Sequence, residues 1–179
     1  HSDELFRLKS DLIAAQETRL TKLAIEKAKN HAGRNGYSMV TGKALPSRAH
    51  YGPKGQAKVT PDNCKPGGVA IVANKRTCPG LQQAGPMELE AQQLYERARY
   101  VRAAVPLVQS SSGDKKPFYL HVASLHNESE GGAPAKLRKE RNMARAADDC
   151  RRVGDQPVLL CADSNLGEDS LAIDEMTKD

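Results

Sequence analysis

Two short polar stretches of this chain each follow directly on an apolar run of strand length. Gln16-Glu17-Thr18 closes the run at residues 12–15, and Asp163-Ser164-Asn165 closes the run at residues 157–162. Short apolar runs of this kind are typical of buried strands, and strand ends in α/β proteins hold polar side chains rigidly where a substrate can approach. We therefore predict an α/β fold in which carboxylates lie at the edge of a sheet.

The remaining chain alternates between strand and helix patterns. Further strands are predicted at residues 37–41, 69–73, 100–108 and 118–125, and Pro106 predicts an edge position for the third of these. Helical spacing is found at residues 20–32, where Gly33 is expected to end the helix, at 87–95 and at 134–153. For the last helix the predicted inner face is Leu137, Met143, Ala144, Ala147 and Cys150. The pattern predicts one domain over residues 1–179, with a long loop or insertion at residues 42–68.

Composition restricts the classes of partner. The sequence has 27 Lys and Arg against 22 Asp and Glu, a net charge of +5. This charge indicates a mild preference for polyanions, although ordinary solvated surface charge is an equal explanation. No segment reaches the roughly 18 apolar residues of a membrane span, and the first residues lack a signal-peptide layout. The four cysteines lack zinc-site spacing and are interpreted as reduced thiols. We expect an intracellular protein without a membrane partner, with a nuclear location left open.

The two polar stretches supply the candidate chemistry. If their strands are neighbours, Glu17 and Asp163 approach each other and form an oxygen-ligand site suited to Mg²⁺ or Mn²⁺. Such a metal neutralises a phosphate oxygen, while a second carboxylate orients the attacking water. Asn165 points to the same side as Asp163 and has amide hydrogens for a phosphoryl oxygen. Taken singly, however, an acidic residue at a strand end is more often a helix cap or a solvated turn residue.

Other charged residues are weaker candidates. Gln16 and Arg19 flank Glu17, and His126 follows a predicted strand, so these three are predicted to bind substrate, although a packed or surface histidine is the ordinary alternative. The basic segment at residues 136–141 has enough charge to contact a nucleic-acid backbone, but a solvated helix face is the better explanation.

The order of these segments resembles the endonuclease/exonuclease/phosphatase superfamily, which includes the deoxyribonuclease I-like nucleases and the endonuclease domains of non-LTR retrotransposons. Four stretches carry the resemblance: DLIAAQETRL at 11–20, GGVAIVANKR at 67–76, FYLHVASLHN at 118–127 and PVLLCADSNL at 157–166. The resemblance implies a four-layered α/β sandwich with two packed sheets. It also implies that Glu17 binds the metal, that Asp163 activates or orients the water, and that Asn165 stabilises the phosphate.

The chain also departs from the family pattern. It starts after the family's first strand, which bears an Asn, and stops before the Asp-His motif that supplies a histidine, so we expect an incomplete domain. At the family's phosphate-facing positions of the central strand it has Ala123, Ser124 and Leu125, with His126 and Asn127 just beyond.

We accordingly predict a Mg²⁺- or Mn²⁺-dependent phosphodiesterase, a nucleic-acid endonuclease acting on DNA, of which this span alone is weakly active or inactive. Two alternatives stay open. One is an inactive remnant that binds nucleic acid or protein, and the other is a phosphatase for small-molecule or lipid phosphoesters.

Overall fold

The computed structural model of the chain describes residues 6–7, 9–44, 68–107, 118–127 and 131–166. Most of the predicted loop at residues 42–68 lies outside these residues, as does the C-terminal segment. The described elements, in chain order, are β1 (Leu12–Gln16), α1 (Lys22–Arg34), β2 (Tyr37–Thr41), β3 (Val69–Asn74), β4 (Gln82–Gly85), α2 (Leu89–Glu96), β5 (Tyr100–Pro106), β6 (Tyr119–His126), α3 (Ala133–Arg151) and β7 (Val158–Asp163).

The strands form two separate sheets. One sheet has three antiparallel strands in the order β1-β3-β2, and the other has four strands in the order β4-β5-β6-β7. In the second sheet β4, β5 and β6 are antiparallel, whereas β7 runs parallel to β6. Because β6 and β7 are parallel, their carboxyl ends lie side by side, and His126 is in register with Asp163.

The two sheets and the helices on their outer faces form four layers. Three apolar cores, built from alternating side chains of the strands, lie between these layers. The core between the two sheets contains Val69 and Ile71 of β3 and Val101 of β5. A second core, with Leu94 and Met143, packs α2 and α3 on the outer face of the four-stranded sheet. A third packs α1 on the outer face of the three-stranded sheet. The predicted four-layered α/β sandwich is therefore confirmed.

Two predicted details of the elements are wrong. Helix α1 continues through Gly33 and ends at its C-cap Asn35, whose side chain donates to the His31 carbonyl, and Gly36 then takes a left-handed φ of 81°. Strand β5 is not an edge strand, since it lies between β4 and β6. Pro106 is its last residue, where the missing N–H interrupts the ladder least.

The burial of two elements also differs from expectation. Strand β7 was expected to be fully buried, but within the described chain it pairs on one side only and leaves Leu159 48% exposed. On α3 the predicted inner residues Leu137 and Ala144 are exposed, while Lys139 and Asp149 are buried. These two charged residues replace apolar ones on the inner face because each has hydrogen-bond partners there, described below.

Candidate active site

The corner after β1 places Glu17 through an unusual backbone path. Glu17 and Arg19 both have left-handed φ angles, 53° and 49°, which cost energy for residues with a Cβ. The Thr18 N–H donates to the Gly68 carbonyl at 3.1 Å. Gly68 itself has φ 101°, and a Cβ there would lie 2.5 Å from Thr18 Oγ1. Only glycine fits this contact without displacement, so Gly68, which directly precedes β3, fixes the corner that carries Glu17.

The end of β7 places Asp163 and Asn165. The N–H of Asn127, just after β6, donates to the Asp163 carbonyl at 2.9 Å, which continues the parallel pairing beyond the strands. Asn165 has a left-handed φ of 49°, and its side-chain amide donates to the Asn127 carbonyl at 3.1 Å. The loop after β7 is thus bound to the loop after β6.

The two predicted acidic residues meet at one histidine. The Nε2 atom of His126 lies 3.5 Å from Oε1 of Glu17 and 3.7 Å from Oδ2 of Asp163. Both carboxylates are about half exposed, with side-chain exposures of 52% and 47%, whereas the His126 side chain is buried. His126 Nε2 has no hydrogen-bond partner among the described residues. The structure therefore brings Glu17, Asp163 and His126 together, although they come from different sheets or different strands.

Arg99 determines which nitrogen of His126 carries the proton. Its Nη1 lies 3.1 Å from Nδ1 of His126, and it also donates to the carbonyls of His126 and Asn127. A guanidinium group only donates, so Nδ1 must accept and Nε2 must carry the hydrogen. Burial lowers the pKa of His126, the Arg99 charge lowers it further, and the two carboxylates only partly oppose these effects. The site thus has a neutral imidazole that carries its hydrogen on Nε2, the nitrogen next to the two carboxylates.

The remaining predicted residues have different surroundings. The Gln16 amide turns inward and lies 3.3 Å from Ser124 Oγ and 3.5 Å from the Cys161 carbonyl, so it bridges the two sheets. Arg19 is exposed and its Nη2 lies 3.4 Å from Glu17 Oε2. Asn165 lies on the adjacent loop, with no described contact to Glu17 or His126. Sequence reasoning missed Arg99, since a lone arginine before a strand carries no motif, and it placed Asn127 just beyond the phosphate-facing positions without giving it a role.

The residues present fit a hydrated divalent cation. No cluster of three or more His, Cys, Asp or Glu among the described residues has the arrangement of a closed metal site. Two half-exposed carboxylates, however, are the donor set that Mg²⁺ uses when it keeps several waters and shares the rest of its sphere with a substrate phosphate. The Nε2–H of His126 excludes this nitrogen as a ligand while it holds that hydrogen.

No protein-family model and no curated protein matches the sequence, but solved structures match the fold. The catalytic domain of human Nocturnin with bound sulfate superposes with a TM-score of 0.59 at 15% identity, over 97% of this chain and 58% of that one. An endonuclease/exonuclease/phosphatase family protein from Bacteroides thetaiotaomicron gives 0.55 at 12% identity, with 98% and 57% covered. ANGEL2, a 2',3'-cyclic phosphatase in complex with adenosine-2',3'-vanadate, gives 0.51 at 16%, with 94% and 44% covered.

The chain thus spans less than two thirds of the length of each of these three structures. No helix among the described residues is long and apolar enough to cross a membrane. The resemblance predicted from the sequence is confirmed at the level of the fold: the chain folds like the endonuclease/exonuclease/phosphatase proteins.

Proposed function

We propose that the protein hydrolyses phosphodiesters with the help of a divalent metal ion, and that its substrate is a nucleic acid, DNA in the first instance. The observation that carries this proposal is the buried Nε2 of His126, which has no hydrogen-bond partner among the described residues and lies 3.5 and 3.7 Å from two carboxylate oxygens. An unpaired buried donor costs about 1–3 kcal/mol, and such groups are tolerated where a ligand completes them. A phosphoryl oxygen is a suitable acceptor.

Each residue then has a defined role. Glu17, together with substrate oxygens and water, would hold Mg²⁺ or Mn²⁺, which supplies charge neutralisation at the phosphoryl group. Asp163 accepts a hydrogen bond from the attacking water and orients it toward phosphorus. His126 donates its Nε2–H to a non-bridging phosphoryl oxygen, and Asn165 donates an amide hydrogen to the same group. Arg19, exposed beside Glu17, contacts a neighbouring phosphate, whereas Gln16 holds the two sheets together.

The net charge of +5 supports a polyanionic substrate. A nucleic acid also fits the exposure of the site, since both carboxylates are about half exposed rather than enclosed in a small-molecule cavity.

The direct test is nicking of supercoiled plasmid DNA by the chain with Mg²⁺ or Mn²⁺. Because the span alone is expected to be weakly active at best, we expect weak metal-dependent nicking that Glu17→Gln or Asp163→Asn lowers to the background level. The matched control is Asp148→Asn, an exposed carboxylate on α3 that pairs with Arg151, and this variant retains activity. Nicking that is insensitive to both site substitutions comes from a contaminant and contradicts the proposal.

Two alternatives are separated by the same preparation. A chain that binds plasmid DNA without nicking it, with either metal, is a binding module. The similarity to a 2',3'-cyclic phosphatase favours the small-molecule phosphatase as the second alternative. Adenosine 2',3'-cyclic phosphate is the corresponding probe, and its hydrolysis without DNA nicking assigns the site to that class.

A further inference from the structure

Three residues near the candidate site form a closed ring of hydrogen bonds. The Nζ of Lys139 donates to the backbone carbonyl of Asn165 at 2.9 Å. The side-chain amide of Asn165 in turn donates to the backbone carbonyl of Asn127 at 3.1 Å. The side-chain amide of Asn127 donates to the backbone carbonyl of Lys139 at 3.1 Å, which closes the ring. Asn142, one turn further along α3, donates to the Asn127 side-chain oxygen at 2.9 Å. The ring connects α3 to the loops that follow β6 and β7.

Lys139 is an unusual member of this ring. It is 7% exposed, and within the described chain its ammonium group has one hydrogen-bond acceptor, the Asn165 carbonyl, and no carboxylate within 4 Å. A buried ammonium group is costly and is retained where its hydrogen bonds fix something. By contrast, Lys136 on the same helix is 58% exposed and lies beside Glu140. A solvated helix face, as expected from the sequence, therefore describes Lys136 but not Lys139.

The carbonyl group that Lys139 contacts belongs to Asn165, the residue after β7 that has a left-handed backbone. Asn165 has φ 49°, a conformation that asparagine tolerates better than most residues but that needs support from its surroundings. The ring uses the Asn165 carbonyl and one of its amide hydrogens. Its other amide hydrogen and its side-chain oxygen have no partner within the described chain.

We propose that Lys139 is a positioning residue that holds Asn165 in this left-handed conformation, with one amide hydrogen left available for a phosphate oxygen. Holding the loop conformation is independent of any reaction, whereas the part that concerns phosphate rests on the proposed function. Lys139 does not itself touch the reacting groups; it acts through the backbone of Asn165.

The first test measures the loop without any ligand. In the full chain labelled with ¹³C and ¹⁵N, the Asn165 Cα and Cβ shifts and its side-chain amide signals report the left-handed conformation and the ring. Lys139→Met is expected to move these signals, Lys139→Arg, which keeps a charged donor, to restore them, and Lys136→Met to leave them unchanged. Should Lys139→Met fail to fold, Lys139→Gln, whose shorter side chain does not reach the carbonyl, replaces it. Asn165 signals that are unchanged in the folded removal variant overturn the proposal.

The second test separates positioning from the proposed function. Inorganic phosphate is titrated against the Asn165 amide signals in the presence of Mg²⁺, and Mn²⁺ binding is followed by relaxation enhancement. Lys139→Met is expected to weaken phosphate binding about tenfold, with Mn²⁺ affinity unchanged and with recovery in Lys139→Arg. Equal loss of Mn²⁺ affinity, or no recovery by Arg, indicates general disruption and overturns the positioning role. If the unmodified chain binds neither probe, the proposed function fails while the first test still decides the role of Lys139.

Discussion

Two arginine–histidine pairs connect β5 with β6, one inside the two strands and one where β5 begins and β6 ends, and they differ in what each histidine faces. Arg102 Nη1 lies 3.0 Å from Nδ1 of His121, and Arg99 Nη1 lies 3.1 Å from Nδ1 of His126. In both pairs the histidine must carry its hydrogen on Nε2, because arginine only donates. We call Arg102–His121 the closed pair and Arg99–His126 the open pair.

The closed pair belongs to a network in which the Arg102 charge is paired with the Asp149 carboxylate, although Arg102 Nη2 has no hydrogen-bond partner among the described residues. Asp149 Oδ2 accepts from Arg102 Nε and from the Tyr100 hydroxyl, both at 2.8 Å, and the Asp149–Arg102 ion pair is fully buried. Asp149 Oδ1 accepts from the N–H groups of Met87 and Glu88 at the start of α2. His121 Nε2 lies 3.3 Å from the Gln156 side-chain oxygen. Burial and the Arg102 charge lower the pKa of His121, so it stays neutral near pH 7.

In the open pair His126 has the same tautomer, but its Nε2–H has no hydrogen-bond partner among the described residues. His126 Nε2 has carboxylates at 3.5 and 3.7 Å but no hydrogen bond. The same arginine–histidine pairing thus belongs to a buried hydrogen-bond network at His121, whereas at His126 it leaves Nε2 without a hydrogen bond beside two carboxylates. An arginine–histidine pair therefore does not by itself indicate a functional site. The surroundings of the histidine Nε2, which does not face the arginine, distinguish the two cases.

The largest expected effect comes from breaking the closed pair. Asp149→Asn keeps the shape of the side chain but leaves the Arg102 charge buried without its counter-ion, and we expect a loss of about 3–5 kcal/mol in the free energy of unfolding. Urea denaturation measures it. The neighbouring Asp148→Asn is the control, since this exposed residue should cost less than about 1 kcal/mol. Similar losses in the two variants would contradict the distinction.

Acid should break the same network in the unmodified chain. Burial raises the pKa of Asp149, but its hydrogen bonds from Glu88, Arg102, Tyr100 and Met87 outweigh this, so the net shift is downward. The stabilisation from Asp149 is therefore fully present above its unfolded-state pKa of about 4 and is lost as the pH falls through its lower folded-state pKa. We expect unfolding free energies, measured from pH 7 down to pH 2, to fall more steeply in the unmodified chain than in Asp149→Asn. Parallel curves would show that Asp149 does not titrate differently on folding.

The surroundings of the open pair are expected to change when the corner that carries Glu17 is displaced. Gly68→Ala forces a Cβ to within 2.5 Å of Thr18 Oγ1 at a left-handed φ, and we expect a loss of about 1–3 kcal/mol in unfolding free energy. The displaced Glu17 should also weaken Mn²⁺ binding. Gly131→Ala is the matched control, because a Cβ there meets nothing within 4 Å. Unchanged stability and metal binding in Gly68→Ala would remove the role assigned to this glycine.

The smallest expected effect is the loss of the Gln156 side chain, which tests what fixes the tautomer of His121. Gln156→Ala removes the acceptor of His121 Nε2 and of the Tyr119 N–H, and we expect a cost of about 1 kcal/mol. The ¹⁵N shifts of both imidazole rings should still report the Nε2–H tautomer, because the arginines and not Gln156 fix it. A change of tautomer at His121 would contradict that assignment.

Much of the fold could be predicted because its signals are local. The apolar runs that end at Gln16 and Asp163 gave strands β1 and β7, and helical spacing gave α1, α2 and α3. The errors also have local causes. Gly33 precedes the true C-cap by two residues, and Pro106 was read as an edge signal although it only ends a central strand. Strand β4, four residues with little apolar content, gave no sequence pattern.

The site could be predicted only in part. Glu17, Asp163 and Asn165 were named because acidic and amide side chains at strand ends form a pattern in the sequence. Lys139 was read as solvated charge, although it shares a helix face with Met143, four residues later, and this spacing was the available signal. Asp149 gave no such sign, because a buried carboxylate is recognised by partners that are distant in sequence.

Residue order and periodicity alone specify the elements other than β4 and the acidic ends of β1 and β7, because these signals are local. The four-layered architecture was expected only from the family resemblance. Only the tertiary structure decided that Glu17 and Asp163 meet at His126, that Arg99 fixes its tautomer, and that Lys139 turns inward to Asn165. Each of these depends on contacts between segments from 26 to more than 100 residues apart, which sheet pairing and packing set and local sequence does not.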